Sequence, residues 1–464
     1  MSSSNDKIGK IELASYFGYG VGQCLSFGLI GSFILFFYTE YLGISAIAAS
    51  TIFLIARIWD AVNDPIIAGY MDTLNSKHGK FRPYMLYMPV VIALVTVLCF
   101  WNIDAPMWAK IAYAAVTYII WGTIYTISDV PFWSVASVMS RSPQQRATAV
   151  TAAAIAVGIG VNGANIVFPK LAALFAEGST DGGYTMGASI LMIAGLVLML
   201  NGFFNTKERV DSQQEKVTLK DTFRTALQNK PLRIVLLAYS TWVFYNIANG
   251  LYVFFFTYNI GDIGMLAALG TIGIVTGFSG MLTPVLTKRF QKRTLIMAIS
   301  GLEIITRVTM YSFGYDSPVL LLTMFGIANV FSSIIGPLLS ATIIDTIEYG
   351  EYKTGKRCAA ITFSGQTFTG KLAVAIAGGL TGLFLTFIGY VPNSEQTQEA
   401  LDGLFFAVVL LPAIGAFIRL AVMSRYTFTE DKHAEVCARA GAYFVHFITQ
   451  RILAPDNHHS NLLF

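Results

Sequence analysis

The sequence predicts an all-α membrane protein of twelve transmembrane helices in two six-helix bundles, and three observations carry that prediction. Of 464 residues, 55% are hydrophobic and only 12% charged, with a mean hydropathy of +0.60, whereas a soluble globular domain carries about 25% charged residues. Apolar runs long enough to cross a bilayer, about 20 residues each, recur twelve times. One long polar interruption, Asn205 to Lys230, divides six runs from six, as in a fold built from two repeated units.

The runs of the first half are 13–38, 43–72, 82–101, 107–140, 148–176 and 184–205; those of the second are 231–258, 264–288, 294–313, 317–347, 361–389 and 401–425. The first run is too long for the apolar core of a secretory leader and lacks a small-residue cleavage pattern, so it reads as the first helix. Loops between runs alternate in charge. Lys77, Lys80, Arg82, Arg141, Arg146, Lys207 and Arg209 fall in one set, whereas Glu40, Asp104, Asp181, Asp262 and Glu395 fall in the other. By the positive-inside rule both termini are expected in the cytoplasm and the protein in the plasma membrane. The expected organisation is a bundle over 1–205, a cytoplasmic loop over 206–230, a second bundle over 231–430 and a cytoplasmic tail over 431–464.

Composition excludes several classes. The net charge of +4 follows from the loop pattern and gives no reason to expect nucleic acid. Cys24, Cys99, Cys358 and Cys437 show no pairing or zinc spacing, and His433, His446, His458 and His459 in the tail have no ligand-like spacing. Glycine clusters at Gly18/Gly20/Gly22, Gly158/Gly160/Gly163, Gly273/Gly277/Gly280 and Gly378/Gly379/Gly382 suit close helix approach. None carries a phosphate-loop ending. Outside the membrane there is no nucleophile–base constellation, so an enzyme with a cofactor is not expected.

The informative residues are the charges inside the runs. Asp60 and Asp64 stand one helical turn apart in the second run, with Arg57 and Asn63 beside them. A carboxylate at membrane depth costs at least about 2.5–3.5 kcal/mol, and two like charges on one face repel unless a cation lies between them or one is protonated. The pair therefore suggests a monovalent-cation or proton site, although Arg57 could neutralise one acid privately. Asp60, Asn63, Asp64 and Thr126 together offer the oxygen ligands a hard cation takes. In the fourth run, Tyr125, Asp129 and Trp133 suit a sugar, because a carboxylate accepts hydroxyl hydrogens while an indole covers the ring's C–H face. Lys371 is the lone cation near the middle of the eleventh run and is expected to couple to a carboxylate. Glu303 and Arg307, four apart, read as a self-satisfied structural pair, and Arg419 as a snorkelling side chain.

Five segments resemble a known family. Arg57-Ile-Trp-Asp60-Ala-Val-Asn63-Asp64-Pro, Gly79-Lys-Phe-Arg-Pro83, Tyr125-Thr126-Ile-Ser-Asp129-Val-Pro-Phe-Trp133, Asp345-Thr-Ile-Glu-Tyr-Gly-Glu-Tyr352 and Ile388-Gly-Tyr-Val-Pro-Asn393 resemble the glycoside-pentoside-hexuronide:cation symporters of the major facilitator superfamily, over about residues 11–430. The resemblance implies the major facilitator fold, a sodium or proton site on Asp60, Asn63, Asp64 and Thr126, sugar contacts from Asp129, Tyr125 and Trp133, and a coupling role for Lys371 with Arg57. It also implies departures. A Lys-Asp pair that binds galactosides in the melibiose carrier is Gln23 and Cys24 here, which are still expected in the substrate site with Cys24 facing the cavity; a fifth-helix arginine is Ala154, and a tenth-helix tryptophan is Gly336.

The expected function is symport of sodium or a proton with a sugar or glycoside across the bacterial inner membrane, with the lipid bilayer and the sugar as partners and no cofactor. Two alternatives stay open: a transporter of a lysolipid or other amphiphile on the same fold, and an uncoupled sugar facilitator.

Overall fold

The computed structural model describes residues 7–73, 79–209, 228–354 and 359–436. Six helices form the first half: α1 (Lys10–Glu40), α2 (Ala46–Thr73), α3 (Arg82–Cys99), α4 (Met107–Val138), α5 (Pro143–Leu174) and α6 (Tyr184–Asn205). The second half follows with α7 (Lys230–Tyr258), α8 (Met265–Thr287), α9 (Lys292–Phe313), α10 (Pro318–Thr354), α11 (Ala359–Phe387) and α12 (Gln398–Met423). Counted over the described residues, eleven of these are long and apolar enough to cross a membrane. The remaining one, α2, carries the intramembrane acids and spans 28 residues.

Two helices break where the sequence reads as continuous. α7 divides at Thr241 between segments 230–240 and 242–258, and α8 tightens to a 3₁₀ turn over Phe278–Leu282. Departures from α geometry at membrane depth are tolerated where they line a cavity or are buried in protein, and both breaks border the cavity described below.

α1 sits at the centre of its half. It is apolar or small on every side, and 83% of its most apolar stretch is buried, against 22–50% for the other spans. A helix apolar all round belongs in a core rather than at an edge.

Each half is tied at the face where α1 begins and α12 ends, here the terminal face. Glu208, just past α6, accepts hydrogen bonds from the backbone N–H groups of Lys80, Phe81 and Arg82 at 2.9, 2.8 and 2.7 Å. A carboxylate there satisfies the orphan donors at the start of α3 and meets the positive end of its dipole. Gly79 makes the arrangement possible: its φ is +104°, and a Cβ would lie 2.7 Å from the Glu208 carboxyl. Arg209 then clasps Glu12 through both carboxylate oxygens at 2.8 Å. The second half repeats the device. Glu430, beyond α12, accepts from the N–H of Lys292 at the start of α9 at 2.7 Å, and the Lys292 ammonium pairs with Asp345 at 2.6 Å.

The halves meet across the opposite face. Phe36 of α1 packs edge-on against Phe254 of α7 at 5.1 Å. Glu40 accepts hydrogen bonds from the Tyr258 hydroxyl at 2.7 Å, from the Tyr390 hydroxyl, and from the Asn393 N–H at 2.9 Å. Asn393 stands at φ 53°, in the left-handed region that Asn tolerates better than most residues, and its side chain also donates to the Glu40 carbonyl at 2.6 Å. Along α2 and α11, Gly382 lies so close that a Cβ would come 2.3 Å from the Ala46 carbonyl oxygen. Among the described residues, the hydrogen bonds at the terminal face each join elements of one half. Among the described residues, hydrogen bonds therefore join the two halves at one face and not at the other.

Candidate substrate and cation site

α2 and α4 meet at Asp60 and Gly122, one turn of α4 from Thr126. Arg57 donates to Asp60 at 3.0 Å and to the Tyr118 hydroxyl at 3.4 Å. The other Asp60 oxygen rests on the bare face of Gly122, where a Cβ would lie 3.1 Å away, and Thr126 follows Gly122 by one turn of α4. Asn63 is 9% exposed, and its amide nitrogen has no hydrogen-bond partner. Leaving a buried donor unsatisfied costs about 1–3 kcal/mol, and the atom of this amide that a cation would take is its carbonyl oxygen. Trp59 donates to Thr123 at 2.9 Å and fixes α2 against α4 one turn away. The side chain of Asp64 lies outside the described residues.

α1 and α4 assemble most of the expected sugar residues. Gln23 donates to Asp129 at 2.9 Å and accepts from Ser128 at 3.0 Å, while Ser128 meets the Tyr19 hydroxyl at 3.2 Å. Tyr125 packs at a tilt between Phe27 and Trp121, with ring centroids 5.3 Å from each. Trp133 stands 39% exposed. Cys24 does not reach the open space that its place beside Gln23 suggests. It is 2% exposed, faces the Tyr125 hydroxyl at 3.9 Å, and packs on α5 where a Cβ at Gly160 would come 2.6 Å from its own. Close helix approach at Gly160 is what seals it in.

Lys371 is exposed on α11. α2 and α11 run antiparallel, with Gly378 against Phe53 and Gly382 against Ser50. Continued towards the terminal face, that register sets Lys371 level with Asp60 and Ala61.

A cavity of 1020 Å³ lies between α5 and the second half, reaching from Asn162 and Gly273 to Val150 and Thr287 near the terminal face. Its volume is at the upper end of what small-molecule sites use. Ala154 lines it on α5, and Trp242 and Ser332 line it on α7 and α10. Behind that wall sits a charge cluster that differs from the sequence expectation. Arg419 does not snorkel: it is 7% exposed and donates to Glu303 at 2.6 Å and to Ser300 at 2.9 Å. Nor do Glu303 and Arg307 suffice for each other, since they touch only through Arg307 Nε at 3.4 Å while Ser332 also donates to Glu303 at 3.1 Å. A long-range pair between α9 and α12 leaves no trace in helical spacing. The available signal was distance along the span, because Arg419 stands several turns from Asp402, the acid of its own run.

Twelve helices in two halves around a cavity flanked by buried charges define a secondary transporter and not an enzyme. The chain belongs to the MFS/sugar transport protein family, whose pattern matches residues 17–430. It is 32% identical over 440 residues to YjmB, an uncharacterized symporter of Bacillus subtilis strain 168, covering 92% of this chain and 95% of that one. It is 31% identical over 400 residues to the isoprimeverose transporter of Lactiplantibacillus pentosus, covering 84% and 83%. Among solved structures it resembles an inward-facing bacterial homolog of the human lysosomal transporter Spinster, with a TM-score of 0.65 at 14% identity over 90% of this chain and 97% of that one. That likeness shows the fold.

Proposed function

We propose that this protein is a bacterial inner-membrane symporter, both termini cytoplasmic, that couples entry of sodium or a proton to uptake of a sugar or glycoside by alternating access. Asp60, Asn63, Asp64 and Thr126 hold the cation. Asp129, Tyr125, Trp133 and Gln23 meet the sugar, and Cys24 shapes the wall behind them. Arg57 and Lys371 exchange partners among the acids as the cavity changes sides.

The observation that carries this reading is the Asp60 carboxylate, held by Arg57 on one oxygen at 3.0 Å and laid against Gly122 with the other. One guanidinium cannot satisfy two intramembrane acids, and a bound cation supplies the balance. The register of Lys371 against Asp60 supports a shared charge count between the halves. Symporters among the relatives support cation coupling.

The test is uptake of labelled sugars into proteoliposomes with and without inward sodium or proton gradients. Asp60→Asn and Asp64→Asn should abolish concentrative uptake while leaving exchange, and Lys371→Ala should impair both. Wild-type concentrative uptake in both acid variants would overturn the cation site. A second reading, transport of an amphiphile, is favoured by the apolar α5 and α8 lining at Ile155, Ile159, Ile274 and Phe278. Saturable uptake of a lysolipid with indifference to every sugar would establish it instead.

A further inference from the structure

A small recess opens behind the second-half wall of the cavity. Trp242, Tyr245 and Ser332 border both spaces, and beyond them the recess is lined by Glu303 and Arg419. Its volume of about 10 Å³ is that of one water-sized group. The surrounding chemistry is one-sided nowhere. Glu303 offers carboxylate oxygens, Ser332 a hydroxyl oxygen that already donates its hydrogen to Glu303, and Arg419 a guanidinium whose Nη2 serves Glu303. The indole nitrogen of Trp242 is buried and has no hydrogen-bond partner.

Trp242 is held in place by its surroundings rather than by that N–H. It begins the second segment of α7 directly after the break at Thr241, and its ring meets Tyr245 edge-on at 5.3 Å and 83°. A Cβ at Gly336 would lie 3.8 Å from Trp242 Cζ2, so α10 leaves that edge of the indole uncrowded. The ring therefore stands as a wall with a donor directed at neither backbone nor side chain.

We infer that this recess receives a single hydroxyl group of the transported sugar, with Trp242 Nε1 donating to the hydroxyl oxygen and Glu303 or Ser332 accepting its hydrogen. The inference rests on the sugar-transport reading above and extends it to the second-half wall of the cavity, which faces α5. A hydroxyl both donates and accepts, which matches a lining that offers an unused donor beside acceptors. A carboxylate or sulfonate has at least three heavy atoms and does not fit. A methyl group fits but leaves the indole N–H buried and unpaired, a cost of about 1–3 kcal/mol. The recess thus selects for a hydroxyl at one position of the sugar. A site built to bond a hydroxyl rejects the analogue lacking it far better than an apolar pocket rejects an extra methylene.

Counterflow in proteoliposomes, which needs no ion gradient, tests this. D-glucose, D-galactose, D-xylose and D-glucuronate are screened first, and each monodeoxy derivative of any exchanged sugar follows. The wild type should prefer the parent over one deoxy position by on the order of tenfold or more. Trp242→Phe keeps the ring and removes the N–H, so it should erase most of that one preference while leaving the ratios at other positions unchanged. Ser332→Ala should reduce the same ratio and provides the test where Trp242→Phe folds poorly. A purely structural cluster would change all sugars alike. Wild-type ratios in both variants overturn the recess and leave the sugar reading standing. A folded wild type that exchanges none of the four sugars overturns that reading and the recess with it.

Discussion

The carboxylate of Glu40, at the end of α1, accepts a hydrogen bond from the hydroxyl of Tyr258 on α7 at 2.7 Å, so an acid of one half is held by a phenol of the other. Tyr390 and Asn393 reinforce the tie from the segment after α11. For the cavity to open on this face these bonds must break together.

Removing the acid should therefore favour the alternate state. A hydrogen bond to a charged group contributes about 1.5–3 kcal/mol, enough to change a two-state ratio by tenfold or more. Spin labels on Ser45→Cys and Val391→Cys, read by double electron–electron resonance, should give a short distance in the wild type, a longer one in Glu40→Ala, and an intermediate mixture in Tyr258→Phe. Identical distributions in all three would show that Glu40 ties nothing.

Gly79 and Glu208 predict a stability effect at the other face. Gly79→Ala places a Cβ at φ +104° and 2.7 Å from the Glu208 carboxyl, so it adds backbone strain of about 1–3 kcal/mol and displaces the cap of α3. The melting temperature in detergent should fall, and Glu208→Ala should lower it too. Because both changes disturb one contact, their effects should add to less than the sum. Full additivity would separate them.

Cys24 should be slow to react. A thiol 2% exposed between α1, α4 and α5 is screened from water-borne reagents, so a variant retaining only Cys24 should label with membrane-impermeant maleimide far more slowly after than before mild denaturant is removed. Cys24→Ala should keep most transport. Rapid labelling in the native protein would place the thiol in the cavity after all.

Asp181 caps α6 and gives a pH prediction. Burial opposes its charge, but hydrogen bonds from Ser179 and Thr185 and from the backbone N–H groups of Thr185 and Gly183 outweigh that and hold its carboxyl below the usual range. A depressed carboxyl stabilises the fold above its unfolded value, near about 3.9, and loses that contribution as pH falls through the lower folded value. Asp181→Ala should cost about 1 kcal/mol at pH 7, with the melting gap to wild type closing below about pH 4. A gap independent of pH would assign the effect to packing.

Much of this was legible in the sequence because apolar run length and loop charge are local properties. Run 184–205 coincides with α6, and Arg57 lies within one turn of the Asp60 it pairs with. What escaped was set by distant partners. Glu208 capping α3, Arg419 reaching Glu303, and Cys24 sealed by Gly160 each depend on which helices become neighbours, and no spacing encodes that. The break at Thr241 also carries no glycine or proline, so Trp242 read as one more apolar residue in a continuous run.

The contact at Gly382 has a mechanical consequence. α2 and α11 touch there at a residue with no side chain, with the Ser50 hydroxyl and the Ala46 carbonyl lying where a Cβ would stand, so α11 puts no side chain between them. Interdigitated side chains act as gear teeth and must change rotamer to pass one another, whereas a glycine surface facing a partner helix forms a plain bearing. Between halves stiffened at their terminal ends by Glu208 and Glu430, such a bearing lets one half swivel on the other without repacking. The resistance to motion is then concentrated in the few polar bonds around Glu40, and the turnover rate becomes sensitive to that small cluster rather than to the broad apolar interface beside it.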